Sequence, residues 1–304
     1  MELAPRPYTD DDLPRVQAAL ASWRHAAGPC GYCHIGDLPH RIYAELREHH
    51  PAQERVRIWE EGSAIVAIAI HGRFNAAFDL FTCPPYRGSA QERTMLELAA
   101  TITGRLIAAS GQSEVITDVH GCDTTRQRQL THLGFAPYRI WDHLTERSLD
   151  APLPEAPLPA GFTVRPATLD DAGGLAAARN SAFGSDWTAE RYRDAVMRRP
   201  GYRPDHELVV VAPDGQVAAF TVMWLDELNR VGLLEPVGTH RAFQRRGLAR
   251  ALLVAALGEL HRRGMASATI AHDATNLPAV ALYQSLGFRT RDETLGFRRT
   301  LEVG

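Results

Sequence analysis

The stretch Glu235-Pro-Val-Gly-Thr-His-Arg-Ala-Phe-Gln244-Arg-Arg-Gly247-Leu-Ala249 runs straight into Arg250-Ala-Leu-Leu-Val254. It reads as a strand end, a turn bearing two arginines and a glycine, and a helix start. The first N–H groups of a helix have no partner inside it, and with the helix dipole they favour an anion such as a pyrophosphate. Side chains larger than those of Gly247 and Ala249 would hold a phosphate away from these amides, and Arg245 and Arg246 add positive charge around the bend. The bland alternative is an ordinary strand-turn-helix with solvated arginines, which a glycine turn alone does not exclude.

Working outward, the segments before the turn alternate between strand and helix patterns. Phe162–Arg165 opens, helical spacing covers 169–183 and 189–198, and Glu207–Ala212, a Pro-Asp-Gly turn and Gln216–Trp224 read as a hairpin. Arg230–Thr239 is a strand, and a helix from about Leu248 to Arg263 stops at Gly264. Ala266–Ala271 is a short apolar strand, Pro278–Leu286 a helix, and Thr294–Leu301 a closing strand. This order predicts an α/β fold with a mixed sheet and helices on its faces.

The segment Ala151–Gly161 carries prolines at 152, 154, 157 and 159, which forbid helix and favour a semi-rigid spacer. The halves on either side echo each other. Each opens with Arg-Pro and an acidic helix start (Arg6-Pro7 to Asp11; Arg165-Pro166 to Asp171), and each closes with Leu-Gly-Phe (133–135; 286–288). The expectation is a domain over 1–150, a linker over 151–161 and a second copy of the same fold over 162–304.

The turn residues Gln244, Gly247 and Ala249, followed about thirty residues on by Asn276, Ala279, Leu282 and Tyr283, resemble the GNAT superfamily of acyl-CoA-dependent N-acyltransferases. The resemblance covers 162–304 and implies two tandem GNAT folds. It implies that Val237, Gly238 and Thr239 lie on the strand that pairs with the pantetheine arm of acetyl-CoA. Arg245, Arg246, Gly247, Leu248, Ala249 and Arg250 form the pyrophosphate turn, Asn276 contacts the cofactor beyond it, and Tyr283 stands beside the thioester sulfur. A buried phenol can protonate the departing thiolate, whereas its bland reading is a core tyrosine with a satisfied hydroxyl. Glu235 is the candidate base for the amine and His240 the second choice; a structural carboxylate is an equal alternative for Glu235. The expected activity is direct acetyl transfer from acetyl-CoA to a primary amine of a small molecule or peptide. The alternatives are a mycothiol synthase-like acetyltransferase and a non-catalytic acyl-CoA sensor.

Aligning Gly134 with Gly287 places Leu130 opposite Tyr283 and Asp123 opposite Asn276, and the first copy's turn aligns best with Ala90 opposite Gly247 and Glu92 opposite Ala249. The first copy therefore lacks the phenol and carries a carboxylate where a pyrophosphate would be repelled. It is expected to keep the fold, wall the substrate site and turn over no acetyl-CoA. A shift of one or two residues would bring Gly88 into the turn.

Composition narrows the chemistry. All 33 basic residues of the 304 are arginine, so lysine Schiff-base, Walker-type and lysine-nucleophile mechanisms are excluded. A net charge of −3 argues against a broad polyanion surface, hence no nucleic-acid partner. No run reaches a membrane span, the start is unlike a signal peptide, and a cytoplasmic protein is expected. Four cysteines are too few for a disulfide scaffold. Cys30-Gly-Tyr-Cys33-His34 matches a haem-attachment pattern and half a zinc site with His25, His34 or His40, but the preferred reading is a plain loop, with no metal assigned. The His49-His50 pair shows no metal-ligand spacing on a helix face.

Overall fold

The computed structural model describes residues 3–46, 51–108 and 110–301; His49 and His50 lie outside them. The first-half strands are β1 Arg6–Pro7, β2 Val56–Glu61, β3 Ala64–Arg73, β4 Ala77–Thr82, β5 Glu114–His120 and β6 Ala136–Ser148. Those of the second half are β7 Thr163–Pro166, β8 Glu207–Val211, β9 Val217–Asp226, β10 Val231–Thr239, β11 Ser267–Asp273 and β12 Arg289–Thr300. The principal helices are Leu13–Ala27, Ala90–Ala108, Thr124–His132, Ala172–Phe183, Leu248–Arg262 and Leu277–Ser285. The mixed α/β order read from the sequence is present, with the closing strand beginning five residues earlier, at Arg289 rather than Thr294.

Two compact units result: Met1–Leu144 with Arg291–Gly304, and Thr145–Thr290. They are not the sequential halves on either side of the proline-rich linker, because each closing strand crosses a unit boundary. In the first unit β1 to β5 lie in order and β12 pairs antiparallel with β5, from Thr294 opposite His120 to Thr300 opposite Glu114. In the second unit the order is β11-β10-β9-β8-β7, and the end of β6 joins β11, Thr145 Oγ1 donating to Ile270 O at 2.7 Å and Leu149 N–H to Ala266 O at 2.9 Å. Strand pairing depends on free edges and apolar faces, not on chain order, which is why a cut at the linker misses the exchange.

Both units open with the same device. Arg6 pairs with Asp12 and Arg165 with Asp171, each by two bonds of 2.7 to 2.8 Å, while the aspartate accepts the N–H of Thr9 (2.9 Å) or Thr168 (2.7 Å) as a capping box. Both units also close their second core-proximal helix alike. Phe135 N–H reaches Leu130 O and Phe288 N–H reaches Tyr283 O, each at 3.0 Å, with Gly134 and Gly287 at positive φ.

In the second unit the helix Leu248–Arg262 buries Leu248, Ala251, Leu252, Leu253, Ala256, Leu257 and Leu260, a stripe at helical spacing that packs on β9 and β10. Each fully buried leucine contributes about 2 kcal/mol. Gly232 permits this packing, since a Cβ there would stand 2.6 Å from Leu260. Among the described residues no helix is long and apolar enough to cross a membrane.

Cysteine usage departs from the plain-loop reading. Cys30 is bonded to Cys122, 92 residues away, whereas Cys33 and Cys83 are free and buried. The Cys-x-x-Cys-His group therefore assembles no ligand set of its own, and His34 Nδ1 is taken by Gly36 N–H at 3.0 Å.

Candidate active site

The site of the second unit begins where two parallel strands part. β10 and β11 pair over Val231–Leu233 against Ser267–Thr269 and, among the described residues, no further. On its other side β10 continues along β9 with a bulge, three steps from Leu234 to Val237 spanning two from Met223 to Thr221. A bulge of this kind bends the strand and increases its twist, and here it carries Glu235–Thr239 away from β11. Trp224 Nε1 donates to Glu235 O at 2.8 Å and holds the bulge. Gly238 is required by Phe220, whose ring would lie 2.3 Å from a Cβ at that position.

Beyond β10 comes one 3-10 turn, Arg241–Phe243, capped by His240, whose Nδ1 accepts Ala242 N–H at 3.2 Å. That contact occupies the nitrogen His240 would otherwise offer as a base. The chain then takes a left-handed conformation at Arg245 (φ 61°) and again at Gly247 (φ 78°), the residue before the helix. A non-glycine residue at positive φ costs about 1–2 kcal/mol, and such strain gathers where a loop must hold a functional shape. The first helical bond is Ala251 N–H to Gly247 O at 3.0 Å. The N–H groups of residues 245–250 therefore have no acceptor among the described residues. No atom lies within 4 Å of where a Cβ of Gly247 would project, so the bend faces open space. Arg246 lies over the Phe243 ring at 5.5 Å, and Arg250 Nη1 donates to Ser285 Oγ at 2.7 Å.

Asn276 and Tyr283 sit on the helix after β11. Asn276 caps it, its side-chain oxygen accepting Ala279 N–H at 3.3 Å, which leaves the amide nitrogen as a donor. Tyr283 is 7% exposed, packed against His272 (5.4 Å between centroids) and Phe288 (6.1 Å). Burial first, then the nearby Glu235 carboxylate, pushes its hydroxyl well above the ordinary phenol range, so it holds its proton at neutral pH. Glu235, 48 residues before Tyr283 in sequence, thus lies near enough for its carboxylate to act on the phenol. His272 was not anticipated. The alternation of β11, which buries Ala268, Ile270 and His272 on one face, is the signal that would have found it.

The first unit builds the same frame and fills it differently. Among the described residues its strands β4 and β5 pair at Ala77 and Ile116 and no further. A 3-10 turn, Pro84–Tyr86, again follows, and the left-handed residue after it is Gly88 (φ 78°). Matching the two 3-10 turns puts Gly88 opposite Arg245, Ala90 opposite Gly247 and Glu92 opposite Ala249, whereas the first helical bonds, Arg93 N–H to Ser89 O and Ala251 N–H to Gly247 O, set the helix starts one residue apart from that step. Glu92, 1% exposed, turns its carboxylate back into the bend. It accepts Gly88 N–H at 2.6 Å, Thr82 Oγ1 at 2.6 Å and a guanidinium N–H of Arg126. Burial alone would raise its pKa, but Arg126, Thr82 and the Gly88 amide outweigh that and hold it below the usual carboxylate range. Leu130, in the place of Tyr283, is buried hydrocarbon.

Residues 174–288 match the family model of the acetyltransferase (GNAT) family. The chain is 30% identical over 234 residues to the mycothiol acetyltransferase of Salinispora arenicola, covering 73% of this chain and 72% of that one. It is 31% identical to the mycothiol acetyltransferase of Nocardia farcinica, over 73% of each. Among solved structures, a tandem GNAT protein from the clavulanic acid biosynthesis pathway superposes with a TM-score of 0.68 at 16% identity, over the whole of both chains. A GCN5-related N-acetyltransferase from Sphaerobacter thermophilus gives 0.62 at 20% identity, covering 100% of this chain and 97% of that one. The chain belongs to the GNAT acetyltransferase family. It is a tandem-GNAT N-acetyltransferase.

Proposed function

We propose that the second unit transfers an acetyl group from acetyl-CoA to a primary amine, and that the first unit does not. The observation that carries this reading is the row of unpartnered N–H groups at 245–250, open to solvent beside two arginines at the mouth of the divergent strands. Those donors suit the pyrophosphate of coenzyme A, and Val237–Thr239 offers an unpaired edge for the pantetheine amides. Glu235 takes the proton of the attacking ammonium, the amine nitrogen bonds to the thioester carbon, and the oxyanion collapses with cleavage of the carbon–sulfur bond. Tyr283 gives its hydroxyl proton to the departing thiolate, and the second proton of the attacking nitrogen, lost as the amide forms, restores the phenol. The buried His272 ring packs Tyr283 in place.

The test is thiol release from acetyl-CoA with a panel of amines, comparing wild type with Tyr283→Phe. The variant is expected to lose about 100-fold or more in kcat with little change in KM for acetyl-CoA, as for a removed general acid. An unchanged kcat would remove Tyr283 from the reaction, and failure of acetyl-CoA to bind would remove the whole reading. A second acceptor reading rests on the curated relatives: at about 30% identity over nearly three quarters of their length, they act as mycothiol acetyltransferases. Including mycothiol that lacks its acetyl group in the panel separates this acceptor from simpler amines.

A further inference from the structure

At one corner of the first unit, four side chains with metal-ligating atoms converge from distant parts of the sequence. His120 ends β5, Cys122 follows two residues later, Asp292 lies on β12, and Cys30 reaches Cys122 from the loop after the first helix. One ligand atom each from His120, Cys122 and Asp292 fall within 4.8 Å of one another. His120 Nδ1 stands 3.4 Å from Asp292 Oδ2. That oxygen is sealed from solvent, and the long His120 contact is what answers it among the described residues. The approach is fixed by the main chain: Gly121 N–H donates to Glu293 O at 2.7 Å, and a Cβ on Gly121 would stand 3.0 Å from Asp292 Oδ1. A buried carboxylate oxygen answered by one long contact has capacity for a further partner.

We infer that this corner is a redox-gated zinc site: with the Cys30–Cys122 bond reduced, Cys30, Cys122, His120 and Asp292 bind one Zn²⁺. Two thiolates, one imidazole and one carboxylate form a four-coordinate set of the kind zinc takes, and the soft sulfurs select it over magnesium or calcium. Two equivalents of a small thiol open the disulfide by exchange. Each protein sulfur gains a proton, the small thiols leave joined as their own disulfide, and the metal then displaces both thiol protons. In the disulfide form both sulfurs are consumed, so the two states exclude each other. The zinc state also ties in Asp292, and with it the strand that the far end of the chain contributes to this unit.

The experiment uses the full chain, reduced with a phosphine and freed of metal. Co²⁺ titration of the reduced protein is expected to give one equivalent with a thiolate-to-cobalt charge-transfer band and the visible spectrum of a tetrahedral site. Zn²⁺ should displace it and raise the melting temperature, and the oxidised protein should show none of this. Cys122→Ser and His120→Ala should each weaken binding by about 100-fold or more, whereas Cys33→Ser, at a buried thiol outside the cluster, should leave it unchanged. Asp292→Asn separates ligation from folding, since it preserves size. Reduced protein that binds cobalt without the charge-transfer band, or binding that survives Cys122→Ser, would overturn the proposal. No acetyl-transfer measurement enters the test, so its outcome is independent of the proposed activity.

Discussion

The two units each lead from a strand through a 3-10 turn into a helix, and they differ in what answers the amides at the helix start. In the second unit the amides of 245–250 have no acceptor among the described residues, and the bend carries a left-handed Arg245. In the first unit glycine takes the left-handed position, and Glu92, with Arg126 behind it, supplies an anion from within the protein. A helix N-terminus that has lost its ligand still needs its donors answered, and a carboxylate from the next helical turn does so. In the first unit an internal carboxylate thus stands where the proposed reading puts an external anion in the second.

Transplanting the plug is the harshest test. Ala249→Glu gives the second unit the first unit's carboxylate without its arginine partner, and acetyl-CoA affinity measured by calorimetry should fall by about 1,000-fold, about 4 kcal/mol. Retained affinity would mean that the coenzyme's phosphates lie elsewhere. The reverse change, Glu92→Ala, leaves Arg126 buried and unpaired and should cost about 3 kcal/mol in urea unfolding. It should confer no turnover on the first unit, because Leu130 has no hydroxyl to give. Milder still, Arg245→Gly imports the first unit's residue and relieves the left-handed strain. A gain of about 1 kcal/mol in stability is expected, read as a rise in melting temperature, with a modest loss of coenzyme affinity from the missing charge.

The pH dependence probes what the units share. Paired with Arg6, the Asp12 carboxyl is lowered to about 2; the Arg165 pairing also shifts Asp171 downward. A depressed carboxylate contributes stability that is fully present above its unfolded value near 4 and lost as pH falls through the folded value. Stability should therefore drop between about pH 4 and about pH 2, and Asp12→Asn should flatten part of that drop in an acid titration followed by circular dichroism.

Much of this was legible because it is local. Arg-Pro before an acidic helix start, a glycine after Leu286 and Asn276 before Ala279 each specify a cap that forms wherever the segment goes. Local spacing also announced the turn at 245–250 as a helix start with small residues. What the spacing missed is held by contacts between remote segments. Glu92 reads as a repelled carboxylate until Arg126 and Gly88 N–H are seen to claim it. His240 reads as a base until its Nδ1 is seen capping Ala242. Cys30 pairs not with its neighbour Cys33 but with Cys122.

The amino-acid order alone determined the duplicated α/β pattern, the helix start after Gly247 and the absence of any lysine-based mechanism, because periodicity, caps and residue type act over a few positions. Only the folded chain decided which strand closes which unit, which amides stay open and which carboxylate fills the others. Those outcomes depend on edges and charges meeting across a hundred residues or more, and no short window of sequence contains both partners.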